Sequence, residues 1–377
     1  MARVPINGAT LAWARAAMRL EPADIAKAAG TTLEKARGFE SGDVEPTLKQ
    51  LEKIAKKLDR TMAFFFTAPP AVVDVPDTPD FRGRGEEPLP PNLAREMRRA
   101  EQYRDAMLDL QGKPERVVRV GSVTRETLQR RAAELRTQFD LRGDFVPQMH
   151  DMSRVLNFWC DLLERNGYLI FQTTRIPLSV FRGLSIHHDH LPVILLNGAD
   201  SHAGKVFTIF HEIAHLANKT SGLCDLDRHV NEEAIANAFA ANFLMPSGQV
   251  RAFVEGCGEN GLELARKMGK VFKVSLLAAG VRLCTLRFIN DDELETLREE
   301  SDAAWNEHQA AQKANPGGPP AWRLRYRDLG RAYIGAVAKA VEDDRADWLD
   351  ASYLLNARIP TVEKMFEEYY RSEASQL

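Results

Sequence analysis

The spacing of apolar positions divides the chain into stretches of different character. Up to residue 66 the apolar residues recur three or four apart in short runs broken by turn signals. Leu48, Leu51, Ile54, Ala55 and Leu58 form one run, opened by Pro46-Thr47, and Gly30-Thr31-Thr32 and Glu40-Ser41-Gly42 bracket another. This period predicts a set of short helices. From Thr67 to Pro91 the period is lost and Pro, Asp and Gly dominate, with double prolines at Pro69-Pro70 and Pro90-Pro91. Proline propagates neither a helix nor a central strand, so this stretch reads as a stiff linker. Helical spacing returns at 92–111, 122–138 and 151–166 and then gives way to short apolar runs. Tyr168-Leu169-Ile170-Phe171, Gly183-Leu184-Ser185-Ile186 and Pro192-Val193-Ile194-Leu195-Leu196 read as strands of a small sheet. Helices are predicted at 203–218 and 230–244, the second stopped by Pro246. From 259 onward the period is helical, interrupted at Asn315-Pro316-Gly317-Gly318-Pro319-Pro320. The fold class is therefore α+β: an all-α module over 1–66, a linker over 67–91, a mixed domain over 92–290 and a helical region over 291–377.

Composition changes this picture little. A chain of 377 residues, 44% hydrophobic and 27% charged, has the make-up of an ordinary globular protein. The net charge of -3 means that any nucleic-acid binding must come from a local patch. There is no apolar stretch of the ~20 residues a membrane span needs and no apolar core of a secretion signal. The four cysteines, Cys160, Cys224, Cys257 and Cys284, lie far apart without a CxxC pair and read as free thiols. The expected location is the cytoplasm, with no membrane partner.

The candidate chemistry sits in the helix predicted at 203–218. His211-Glu212-Ile213-Ala214-His215 places two imidazoles four residues apart, on one helical face, where both can hold one metal ion. Glu212 is rotated about 100° from His211 and flanks the ion as a general base rather than a ligand. A chance occurrence of this pattern in the chain has a probability of roughly 0.02, so the motif needs a third ligand to carry weight. The next helix offers Glu232 and Glu233, and periodicity alone admits either. Glu233 shares a face with Asn237, Leu244 and the small Ala240 and Ala241, which let the two helices approach closely. The other histidines are weaker candidates. His187, His188 and His190 cluster in a polar loop that can line a cleft, and His202 and His229 precede helices from which they could stabilise a transition state.

Phe207-Thr208-x-x-His211-Glu212-x-x-His215-Leu216, followed after a gap by Glu233-Ala234-x-Ala236-Asn237-x-Phe239-Ala240-Ala241-x-x-Leu244-Met245-Pro246, resembles the ImmA/IrrE family of metallopeptidases. The preceding Pro192–Asn197 run fits the same pattern. The resemblance implies a zincin-like core, with Glu233 as the third ligand, thirteen residues before the Pro of the Leu-Met-Pro ending. It also implies Zn2+ as cofactor (Mn2+ being another divalent candidate) and proteolysis of a partner repressor or regulator under stress or mobile-element signals. One departure is Ile235, where many members carry an acidic residue; the ligand position is unaffected. Leu264-Ala265-x-x-Met268-x-x-x-Phe272-x-Val274-Ser275, Leu329-Gly330-Arg331-x-Tyr333 and Ala351-Ser352-x-Leu354-Leu355 are similar to segments of the longer members, so the resemblance covers nearly the whole chain.

Ile25-Ala26-x-x-Ala29-Gly30-Thr31-Thr32-Leu33-x-x-Ala36-x-x-Phe39-Glu40-Ser41-Gly42 resembles the phage-repressor (Xre-like) helix-turn-helix, whose second helix enters the major groove of duplex DNA. Thr31, Thr32, Lys35 and Arg37 are the candidate readers, with Lys27 for phosphates. The set is thin, because Glu34 opposes phosphate and Gly38 offers no side chain. Docking on another protein, or a homodimer, is the alternative use of this module. A reading of a different class follows from it: a DNA- or protein-binding, antitoxin-like regulator whose metal site is structural or idle.

Overall fold

In the computed structural model, residues 3–18, 20–70, 90–219, 226–314 and 317–374 are described, with the backbone alone for 226–230 and 312–314. Residues 71–89 of the linker, Asn315-Pro316, Cys224 and the side chain of His229 thus lie outside the described residues. The chain divides into two compact units, Met1–Gln102 and Tyr103–Leu377.

The first unit contains α1 (Gly8–Ala17), α2 (Pro22–Ala29), α3 (Leu33–Ser41), α4 (Leu48–Leu58), a 3-10 turn at Met62–Phe66, and the start of α5 (Pro91–Gln111). Each short helix is stopped by a local signal. Gly30 ends α2 at φ 63°, a left-handed conformation that costs glycine nothing, and Thr32 then caps α3 by accepting from Lys35 N. Leu11, Ile25, Ala36, Phe39, Leu51, Ile54 and Leu58 are buried together as the core. A bidentate ion pair from Arg15 to Glu40, at 2.6 and 3.0 Å, ties α1 to the end of α3.

In the second unit, α6 (Leu128–Gln138) and α7 (Met152–Arg165) precede β1 (Leu169–Thr173), β2 (Gly183–Ile186) and β3 (Val193–Asn197). The strand order is β1-β3-β2, with β3 parallel to β1 and antiparallel to β2. Every residue of the central strand β3 is buried, which explains its unbroken apolar run. The loop His187–His190 joins β2 to β3. Asn197, fully buried at the end of β3, donates to the carbonyls of Ile176 and Phe181 and thereby shapes the loop between β1 and β2.

Helix α8 (His202–Asn218) begins at Ser201, whose hydroxyl accepts from Gly204 N, and packs on β2 and β3 with one side and on α7 and α9 (Leu226–Leu244) with the others. Lys205 in its first turn is buried and donates to Gln172 Oε1 on β1. Burial pushes that ammonium down to about 8. Phe210 stacks on Phe243 of α9, with ring centroids 4.0 Å apart, and meets Trp159 of α7 edge-on at 5.1 Å. Three helices are thus locked around one aromatic cluster. At the end of α9 the buried Arg282 donates to Met245 O, Asn242 Oδ1 and Ser247 Oγ, so the Leu-Met-Pro ending is held by a guanidinium from α12 (Leu276–Thr285). The helices after α9 are α10 (Ser247–Cys257), α11 (Gly261–Phe272), α12 (Leu276–Thr285), α13 (Asp291–Ala314), α14 (Ala321–Leu329), α15 (Arg331–Glu342), α16 (Trp348–Leu354) and α17 (Ile359–Ala374). Of these, α14 packs on β1, and α15 on α16 and α17.

Cys160, Cys257 and Cys284 carry free thiols. No helix among the described residues is long and apolar enough to cross a membrane.

Because Phe210 fills a fully buried site between two other rings, Phe210→Ala should cost about 3–5 kcal/mol. Denaturant unfolding of the full chain, followed by circular dichroism, checks this: the transition of the Tyr103–Leu377 unit should move to lower denaturant.

Candidate metal centre

His211 and His215 occupy successive turns of α8, and Glu233 reaches them from α9. The closest approaches are His211 Nε2 to His215 Nε2 at 3.0 Å, His211 Nε2 to Glu233 Oε2 at 3.2 Å, and His215 Nε2 to Glu233 Oε1 at 3.3 Å. Two imidazole nitrogens and a carboxylate at this spacing need a shared proton or a cation between them, since their lone pairs otherwise repel. A tetrahedral zinc ion with bonds of about 2.0–2.1 Å sets its ligand atoms about 3.3 Å apart, so the donor set fits such an ion in chemistry and in spacing. It is the single group of three or more His, Cys, Asp or Glu side chains among the described residues arranged to hold a metal. The two imidazoles lie at 14% and 8% side-chain exposure while Glu233 is 57% exposed, so the cluster opens toward solvent on the α9 side. Contact with the imidazole of His211 first, then that of His215, holds the Glu233 carboxyl well below the usual carboxylate range.

Glu212 sits beside this cluster and is 4% exposed. Ser185 Oγ on β2 donates to its Oε2 at 2.9 Å. Two residues earlier on the same strand face, a Cβ on Gly183 would fall 2.2 Å from Thr208 Cγ2 and 3.3 Å from Glu212 Oε1. A bare α-carbon at Gly183 is therefore what allows β2 to lie against the metal-binding face of α8. The strand both makes room for the Glu212 carboxylate and fixes its rotamer.

The remaining candidates fall elsewhere. His202 is the first residue of α8, about 13 Å along the helix axis from His211 at 1.5 Å per residue. His187 extends the strand face of Gly183 and Ser185; partial burial, then the neighbouring Lys219, pushes its imidazole down. His190 contributes a carbonyl that accepts twice from Arg104. In the first unit Lys27, Lys35 and Arg37 are exposed and Thr31 is half-buried, while the Thr32 hydroxyl is occupied in capping α3.

Sequence reasoning placed Asn237 on the face of Glu233 but gave it no contact; its Oδ1 lies 3.0 Å from His211 Nδ1. Ser185 was missed, and its only signal is the two-residue alternation it shares with Gly183.

Comparison with known proteins agrees with this geometry. Residues 167–284, which run from the start of the sheet into α12, match the IrrE N-terminal-like domain model of the Peptidase M78 family. That match assigns a domain of the ImmA/IrrE family to this part of the chain. No curated protein matches it in sequence. Among solved structures, a Mycobacterium tuberculosis transcriptional regulator is similar at 18% identity and a TM-score of 0.32, over 49% of this chain and 51% of its own. The chain thus spans about half the length of that structure.

Three converging ligand atoms predict one divalent metal per chain, measured by elemental analysis of the purified protein. His211→Ala or Glu233→Ala should lose it. Full occupancy in Glu233→Ala would transfer the third-ligand role to Glu232 or a loop histidine.

Proposed function

We propose that the chain is a zinc-dependent endopeptidase in which His211, His215 and Glu233 hold the metal and Glu212 is the general base. The observation that carries this reading is the convergence of His211 Nε2, His215 Nε2 and the two Glu233 carboxylate oxygens at contacts of 3.0–3.3 Å, with the buried Glu212 carboxylate next to His211 on α8. The match of residues 167–284 to a peptidase family supports it. When bound, the metal supplies Lewis acidity that polarises the scissile carbonyl and acidifies water.

The chain's own residues do the rest. Glu212, oriented by Ser185, takes a proton from the attacking water and returns it to the leaving amine. β2 pairs with β3 along one edge, and on its other edge an extended peptide can add as a further strand beside α8. A substrate held in this way is a protein segment in strand conformation. We take it to be a partner repressor or regulator cleaved in a stress or mobile-element response.

Glu212→Gln keeps size and hydrogen bonding while removing the base, a loss that typically costs ~10^2–10^4-fold in rate. This variant should retain its metal and its melting temperature, still bind the partner, and no longer cleave it. The measurement is the partner's length on a gel, in cells that contain the native partner under the inducing stress. Equal cleavage by wild type and variant would overturn the mechanism. Equal regulation with no cleavage by either would leave an antitoxin-like regulator with an idle metal site.

We propose that residues 1–66 couple this activity to duplex DNA, with Lys35 and Arg37 exposed on α3 and Lys27 on α2. Phosphate contacts should make affinity fall as salt is added. In a mobility-shift assay on a promoter fragment, Lys35→Ala combined with Arg37→Ala should weaken binding. A wild-type chain that fails to bind duplex at low salt would assign the module to protein docking or dimerisation.

A further inference from the structure

We infer that Asn237 is a positioning residue for the metal centre: its side-chain oxygen selects the His211 tautomer that presents Nε2 as a ligand. This rests on the reading of His211, His215 and Glu233 as a metal site. Neutral imidazole carries one proton, on either nitrogen, and only the unprotonated nitrogen can bind a metal. Asn237 Oδ1 lies 3.0 Å from His211 Nδ1, and an amide oxygen can only accept. The proton is therefore held at Nδ1, and the Nε2 lone pair is turned toward His215 Nε2 and Glu233 Oε2, 3.0 and 3.2 Å away.

The placement follows from helical period. Glu233 and Asn237 are four residues apart on α9, as His211 and His215 are on α8, so one turn of α9 supplies the ligand and the next supplies the group that orients its partner. The reversed amide would do the opposite: an N–H donating to Nδ1 would drive the proton to Nε2 and block coordination. An acceptor-only side chain at 237 should therefore serve as well as asparagine, and an apolar one should not.

The test compares Asn237→Asp, Asn237→Leu and Asn237→Ala with the wild-type full chain. Zinc affinity is measured by competition with a chromogenic chelator at fixed pH, alongside the melting temperature of the metal-free protein. Asn237 is exposed on α9, so its replacement opens no cavity and the metal-free melting temperature should hold. The Leu and Ala variants should bind zinc about 10–100-fold more weakly, the range for loss of a group that orients a ligating histidine. The Asp variant should match or exceed wild type. The zinc-loaded wild type should also show a hydrogen-bonded His211 ring N–H resonance by NMR, retained in Asn237→Asp and lost to exchange in Asn237→Leu. Undiminished zinc affinity in Asn237→Leu, or an Asp variant as weak as the Leu variant, overturns the inference while leaving the metal centre intact. A wild-type chain that binds no zinc overturns the metal centre itself and this inference with it.

Discussion

A site made from two helices depends on how firmly those helices are held. The ligand atoms of α8 and α9 approach to 3.0–3.3 Å, and a shift of an ångström between the helices would separate them. Phe210 stacked on Phe243, with Trp159 edge-on from α7, is the contact that fixes this distance. Aromatic pairs of this kind contribute about 0.5–1.5 kcal/mol beyond the area they bury. Their larger effect here is geometric, because both rings are fully buried in a close-packed core that leaves no void for either helix to shift into. Ala236 and Ala240, between Glu233 and Phe243 on α9, are fully or nearly fully buried, and their small side chains permit close helix packing.

Two carboxylates at this site stand in opposite surroundings. Glu212 on α8 is almost wholly buried and accepts a hydrogen bond from Ser185. Glu233 is the reverse case: it stands more than half exposed and is held ionised by two imidazoles. These surroundings match the work proposed for each carboxylate, Glu212 to move a proton and Glu233 to bind the metal.

The N-terminal unit is built by the same rules but offers less chemistry. Its helices are short, each closed by a local capping signal, and the exposed face of α3 presents Lys35 and Arg37 beside the opposing charge of Glu34. In the DNA-binding role proposed for this module, such a face would grip duplex through phosphates more readily than it would discriminate bases.

Period and turn chemistry were enough to read most of the fold from the residues alone. The three strands, the two ligand-bearing helices and the α2–turn–α3 pair all stand within a few residues of their expected positions, because each is determined by neighbours along the chain. The His211–His215 pair was legible for the same reason: four residues on a helix define one face whatever surrounds it. The choice of Glu233 over Glu232 was not decided by periodicity, since adjacent residues differ by only 100° and which of them faces α8 depends on how the helices pack. Ser185 and Gly183 were silent because their partners, Glu212 and Thr208, lie more than twenty residues away, across a strand-to-helix contact. Asn237 was placed on the correct face, but its bond to His211 spans two helices and exists only once Phe210 and Phe243 have set their separation. Sequence determined the donors, since ligand chemistry belongs to residue type and local spacing. Tertiary structure decided their orientation, since the groups that turn a carboxylate or select a tautomer come from segments distant in the chain.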